Sequence, residues 1–166
     1  MNGNTRDRVS DNSRRQTKLV SACLLGLKCT WNGRDNRSDR VIEAAGTHTL
    51  IPVCPEQLGG LPTPRAPQEI QGGNGEGVLD GRTRVHSRHG YDTTGEFIRG
   101  AEATLSIAML TGAGEFIAKA RSPSCGSGQV YDGSFSGKLV PGDGVTTALL
   151  RRHGIRIVTE EELRLD

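Results

Sequence analysis

Hydrophobic patterning begins at Leu19, after a polar stretch from Met1 to Lys18 that has no apolar periodicity. "LVSA" (Leu19 to Ala22) is a short apolar run that ends in Cys23-Leu-Leu-Gly26, as a buried strand ends in a loop. Ser38 is placed to cap a helix through Arg40 to Ala45 with Gly46 as its terminator, and "THTLIPV" (Thr47 to Val53) predicts a second strand ending at Cys54. From Pro55 to Gly90 prolines and glycines dominate, so regular structure is expected to be sparse, as in a functional or mobile segment. Thr93 and Glu96 form a capping box for a long helix on which Phe97, Ile98, Ala101, Leu105, Ala108 and Met109 recur at helical spacing. "EFIAKA" (Glu115 to Ala120) predicts the third strand, which runs into Ser122-Pro-Ser-Cys125-Gly. Asp143 is placed to cap a helix through Val145, Ala148, Leu149 and Arg152 that Gly154 ends, and "IRIV" (Ile155 to Val158) is the last strand. Thr159 and Glu162 make a second capping box, for a terminal helical turn.

Strands alternating with helices predict an α/β fold with a mostly parallel sheet and right-handed crossovers. A chain of 166 residues fits one domain with a real core, expected over residues 19–166 behind a disordered tail of residues 1–18. Aromatic residues make up only 4% of the chain, which argues against base-stacking platforms. Five basic and two acidic side chains give residues 1–18 a net charge of +3, so the remainder of this +2 chain is slightly acidic. The domain therefore lacks the basic patch of a nucleic-acid partner. There is no apolar run of the roughly 20 residues that span a membrane and no signal-peptide core, so a cytoplasmic location is expected. In that reducing compartment cysteines serve as thiols or metal ligands rather than disulfides.

Cys23, Cys54 and Cys125 each stand in a turn that follows a predicted strand. Loops at the carboxyl ends of parallel strands converge, so these three point to one site although 31 and 71 residues separate them. Such separations exclude a zinc ribbon or a CxxC redox pair. Three convergent thiolates repel one another unless a cation holds them. Zinc would draw a fourth ligand from His48, His86, His89, His153 or Cys29. Three soft ligands with an open fourth position suit an iron-sulfur cluster that binds substrate. The plain alternative makes each cysteine a small buried hydrophobe, and Cys29 in "KCTWNG" reads as a packing residue or spare thiol. Glu56, two residues beyond Cys54, is a candidate general base at the edge of the pocket or else a surface loop carboxylate. Ser122, Ser124 and the glycines around Cys125 offer backbone amides to cluster sulfur or a bound anion.

Four motifs in order, "VSACLLGLKCTWNG" (Val20 to Gly33), "PVCPEQLGGLPTPRAPQEI" (Pro52 to Ile70), "RSPSCG" (Arg121 to Gly126) and "YDGSFSGKLVPGDGVTTALLRRHGI" (Tyr131 to Ile155), resemble the bacterial domain of unknown function 523 family, some of whose members are thiouracil desulfidases. The resemblance runs from about Leu19 to Glu162 and implies a Rossmann-like domain with an oxygen-sensitive 4Fe-4S cluster on Cys23, Cys54 and Cys125. It further implies an acid/base role for Glu56, a catalytic serine at Ser122 with Ser124 as the other choice, and non-redox release of hydrogen sulfide from a small thiolated base such as 4-thiouracil. Ser124 and Arg65, in the "LPTPRAPQEI" loop, are the candidate substrate contacts. "WNGRDNRSD" lacks a lysine that many relatives carry, and the polar tail lies outside the family pattern. Two other classes account for the cysteines: a non-catalytic iron-sulfur or zinc redox-sensing module, and metal-free thiol catalysis. No feature of the sequence assigns an oligomeric state.

Overall fold

Strands with apolar residues on both faces require a helical layer on each side. The protein's computed structural model describes residues 15–165. In chain order it contains β1 (Thr17–Ser21), α1 (Asp39–Ala44), β2 (Thr49–Val53), α2 (Pro55–Leu58), β3 (Gln68–Ile70), α3 (Gly75–Leu79), β4 (Val85–Ser87), α4 (Thr94–Thr111), β5 (Glu115–Ala118), β6 (Gln129–Tyr131), β7 (Leu139–Pro141), α5 (Val145–Arg152) and β8 (Arg156–Thr159). A 3-10 turn over Ala22–Leu25 follows β1 directly. Four strands form a parallel sheet in the order β2-β1-β5-β8, and β3-β4 and β6-β7 are separate antiparallel pairs.

The strand period of two sorts the core. Leu19, Phe116 and Ile157 pack with Ala108 and Leu150 of the long helices, whereas Val20, Ile117 and Val158 pack with Val41 and Ala44 of α1. A third cluster, with Ile70, Val78, Val85, Phe97 and Val145, joins the small β3-β4 sheet to α3, α4 and α5. Glu69 extends that link, because its Oε2 accepts from the N–H groups of Gly133 and Phe135, both at 2.9 Å, in the loop between β6 and β7.

Several expectations need correction. The stretch from Pro55 to Gly90 holds four elements, each of three to five residues, too short to show a period. The β6-β7 pair is likewise unsignalled. Strand β1 begins at Thr17, so Thr17 and Lys18 belong to the sheet, and Lys18 Nζ lies 2.8 Å from Glu115. Of the rest of the expected disordered tail, Arg15 and Gln16 are exposed and outside any helix or strand, and residues 1–14 lie outside the described residues. Ser38 does cap α1, accepting from Val41 N–H at 3.4 Å. Thr93 does not cap α4 with its side chain, because its hydroxyl is buried and donates to Gln68 Oε1 at 2.7 Å instead. Asp143 is not the cap of α5 either. Gly144 is, and the Asp143 carboxylate accepts from Gly128 N–H at 2.8 Å and pairs with Arg151. Met109, expected on the packed face of α4, is 68% exposed. Thr159 N–H and Oγ1 donate to Glu162 Oε2, at 3.0 and 2.9 Å, over a turn that does not continue as a helix.

Two glycines set α2 against α4. A Cβ at Gly59 would stand 1.9 Å from the Glu96 carbonyl oxygen, and one at Gly100 1.9 Å from that of Pro55. Neither backbone oxygen can swing away as a flexible side chain would. Gly100→Ala is expected to destabilise the fold by about 3 kcal/mol, read from urea denaturation, whereas Gly114→Ala, which meets nothing within 4 Å, should stay within about 0.5 kcal/mol of the parent.

Candidate active site

The chain leaves β1 for β2 on one side and later places β5 on the other, so the sheet has its switch point at β1. Loops leaving the carboxyl ends of strands on the two sides of such a point diverge and open a crevice. The loops after β1, β2 and β5 bring Cys23, Cys54 and Cys125 together there, around a cavity of about 550 Å³. Cys23 lies in the 3-10 turn, and its carbonyl accepts from Gly26 N–H at 3.1 Å and Asn36 N–H at 3.0 Å. Cys54 is the N-cap residue of α2, with Pro55 at the first helical position, where its fixed φ suits a helix start.

Cys125 is held by a loop with every connection made inside the protein. Ser122 Oγ accepts from the N–H groups of Ser124 and Cys125, both at 3.2 Å, and Ser122 O accepts from Gly126 N–H at 2.7 Å. The carbonyls of Pro123 and Ser124 in turn accept from Val145 and Thr146 N–H, both at 2.9 Å, and Thr147 Oγ1 donates to Cys125 O at 2.7 Å. These amides are therefore spent on the loop itself, contrary to the expected nest for sulfur or an anion.

Cys29 is more than a packing residue. It is buried in the same apolar cluster as Cys23, lines the cavity, and its backbone carbonyl accepts from Cys54 Sγ at 3.7 Å. The neighbouring Cys29 thiol is the main cause that lowers Cys23 below the ordinary thiol range and draws Cys54 down to about 7. Cys29 itself is pushed far up by its neighbours Cys23 and Cys54 and by burial. Burial raises Cys125 to about 12. Nothing periodic announces Cys29, because irregular turns from Leu27 to Arg34 carry it into the site.

None of the four histidines lines the cavity. Among the described residues no three His, Cys, Asp or Glu side chains are placed to hold a single metal ion. A zinc site would need sulfurs about 3.8 Å apart, given a Zn–S bond of about 2.3 Å. Soft thiols that share one cavity without converging on one point fit a polynuclear iron-sulfur group.

Beside the thiols lies a buried polar chain. Glu56 Oε1 accepts from Ser124 Oγ at 3.2 Å, and Ser124 Oγ lies 3.1 Å from Ser122 Oγ and 3.6 Å from Cys125 Sγ. Glu56 Oε2 accepts from Arg65 Nε at 2.5 Å, with the carboxylate side chain 10% and the arginine side chain 5% exposed. The structure thus brings Glu56, Ser122, Ser124 and Arg65 to the cysteines, and Arg65 meets Glu56. Cavity residues that the sequence did not single out include Trp31, Gln68, Glu69, Lys119 and Tyr131. Trp31, half-exposed, is the only tryptophan, and that rarity was the one signal available.

Fold and site together define an α/β domain with a four-thiol centre and an adjoining buried carboxylate at the switch point of a parallel sheet. Residues 19–162 match the family model of 2-thiouracil desulfurase, and the chain belongs to this family. A Bacillus subtilis (strain 168) protein, YbbK, described only as uncharacterized, is 45% identical over 145 residues, covering 87% of this chain and 96% of that protein. The structure of the 4Fe-4S-dependent thiouracil desulfidase TudS superposes with a TM-score of 0.79 at 40% identity, covering 90% of this chain and 93% of that one.

In the metal-free chain, Cys54 is expected to alkylate with iodoacetamide at a rate that climbs as pH rises through about 7, because the thiolate is the nucleophile. Cys125 stays unlabelled over that range; peptide mass spectrometry across a pH series checks both.

Proposed function

We propose that this protein removes sulfur from a thiolated pyrimidine such as 4-thiouracil, giving uracil and hydrogen sulfide, with a 4Fe-4S cluster held by Cys23, Cys54 and Cys125. The observation that carries the reading is the buried Glu56 carboxylate beside the thiols, joined through Ser124 to Ser122. The 40% identity to an enzyme described as a 4Fe-4S-dependent thiouracil desulfidase supports it. So does the cavity of about 550 Å³, inside the range of about 300–1,000 Å³ that small-molecule sites occupy.

When bound, the cluster supplies a Lewis-acidic iron with an open position for the thiocarbonyl sulfur. The chain's own residues do the rest. Glu56 takes a proton from a water molecule that attacks the carbon bearing sulfur. Water's oxygen stays on that carbon as the new carbonyl, the C–S bond breaks, and sulfur leaves with two protons as hydrogen sulfide, so no net oxidation or reduction occurs. Ser124, donating to Glu56 Oε1, orients the carboxylate, and Ser122 extends the proton path by one oxygen. Four free cysteines and an oxygen-sensitive cluster support a location in the reducing cytoplasm. Among the described residues no helix is long and apolar enough to cross a membrane. The slightly acidic domain points to a free small molecule rather than nucleic acid as its partner.

Anaerobic reconstitution with iron and sulfide tests the reading. Four irons per chain, an absorption change on adding 4-thiouracil and sulfide release are expected; a cluster indifferent to thiolated bases would instead mark a redox sensor. Cys23→Ala, Cys54→Ala and Cys125→Ala should each lose cluster and sulfide release together. Glu56→Ala should keep its iron and lose about 10²–10⁴-fold in turnover. Ser124→Ala, which removes the direct donor to Glu56, should cost more turnover than Ser122→Ala at equal iron content, in the same sulfide assay.

A further inference from the structure

Arg65 is fixed from several sides. Its Nη1 donates to Pro62 O at 3.2 Å and Thr63 Oγ1 at 3.1 Å, its Nη2 donates to Cys29 O at 3.0 Å, and its backbone N–H donates to Trp31 O at 2.7 Å. Gln57 Nε2 donates to the same Thr63 hydroxyl at 2.8 Å. A guanidinium carries five N–H donors, and the fourth one used here, on Nε, goes to Glu56 Oε2 at 2.5 Å. Little of the group is left for an anionic ligand, and its side chain is 5% exposed. The Glu56 carboxylate is meanwhile held at both oxygens, Oε2 by Arg65 and Oε1 by Ser124. Two partners on opposite oxygens set the carboxylate plane, whereas one partner leaves rotation about its terminal bond.

We infer that Arg65 is a positioning residue for Glu56, aiming the carboxylate at the attacking water, and is not the substrate contact that its place in the "LPTPRAPQEI" loop suggested. The inference rests on the desulfidase reading above. Charge alone does not meet the requirement. The planar fork reaches Glu56 while remaining tied to the Cys29 and Pro62 carbonyls, which the single ammonium of a lysine cannot do at once. Arg65 therefore joins three parts of the site: the loop carrying Cys29, the proline-rich loop, and the first turn of α2.

The test is steady-state kinetics of the anaerobically loaded protein with 4-thiouracil, on Arg65→Gln, Arg65→Lys, Glu56→Gln and the Glu56→Gln/Arg65→Gln double variant, with iron counted in each. Arg65→Gln is expected to load four irons and lose about 10²-fold in kcat with KM within about threefold of the parent, because a misaimed base fails after substrate has bound. Arg65→Lys should fall between the two, and dilute guanidinium should restore part of the Arg65→Gln rate. Once Glu56 is gone, losing Arg65 should cost no more than about threefold further. A tenfold rise in KM with kcat preserved would make Arg65 a substrate contact and overturn the inference. Loss of iron in both Arg65 variants would make it a brace for the thiol loops, and multiplying losses in the double variant would show that it acts independently of Glu56; either also overturns it. A parent protein that loads four irons yet releases no sulfide sinks the desulfidase reading, and this inference with it.

Discussion

The first turn of α5 and the loop before it satisfy each other, and the site depends on that exchange. A helix start leaves N–H groups with no intrahelical partner. Here Val145, Thr146 and Thr147 direct theirs to the carbonyls of Pro123 and Ser124, and Gly144 N–H bonds Gly126 O at 2.8 Å. The approach is so close that a Cβ on Gly144 would lie 2.6 Å from Ser124 O. One set of bonds thus caps a helix that has no side-chain cap and shapes the turn that presents Cys125. Because α5 packs on α4 and α4 meets α2 backbone to backbone at Gly100 and Gly59, a chain of packed helices leads from Cys125 to Cys54 and Glu56. Cys54 and Cys125 are thereby linked through one set of packed helices although distant stretches of chain supply them.

The exit of β5 is secured in the same manner. Ser21, the last residue of β1, accepts from Lys119 N–H at 2.9 Å, and Glu160 accepts from Ala120 N–H at 2.8 Å while pairing with Lys119. Charge enters the interior with equal economy. Burying one carboxylate next to thiols is costly unless it is paired and hydrogen-bonded, and Glu56 has both Arg65 and Ser124. Among the cysteines the shifts run in opposite directions, Cys29 being raised and Cys23 and Cys54 lowered.

Much of this was legible in the sequence. Leu19 to Ser21, Ile51 to Val53 and Phe116 to Ala118 announce themselves because buried parallel strands are short apolar runs, and a cysteine in the turn after each locates the carboxyl edge. Glu56 was legible by proximity to Cys54. What stayed hidden is either too short or too distant. Three-residue strands such as Gln68–Ile70 show no period. Thr93 obeyed a local capping rule only until Gln68, 25 residues away, offered its hydroxyl a better partner. Cys29 and Arg65 resisted reading for one reason: their roles come from irregular loops whose paths depend on tertiary contacts. Family resemblance supplied the cluster and reaction where spacing alone left zinc, iron-sulfur and bare thiols open.

The small sheets have a consequence of a different kind. The β3-β4 and β6-β7 pairs, tied by Glu69 to the Gly133 and Phe135 amides, stand outside the parallel sheet yet supply Gln68, Glu69 and Tyr131 to the cavity wall. The cysteines and this part of the cavity wall therefore belong to separate pieces of architecture. A substitution in the small sheets thus reaches the cavity wall from outside the loops that present Cys23, Cys54 and Cys125.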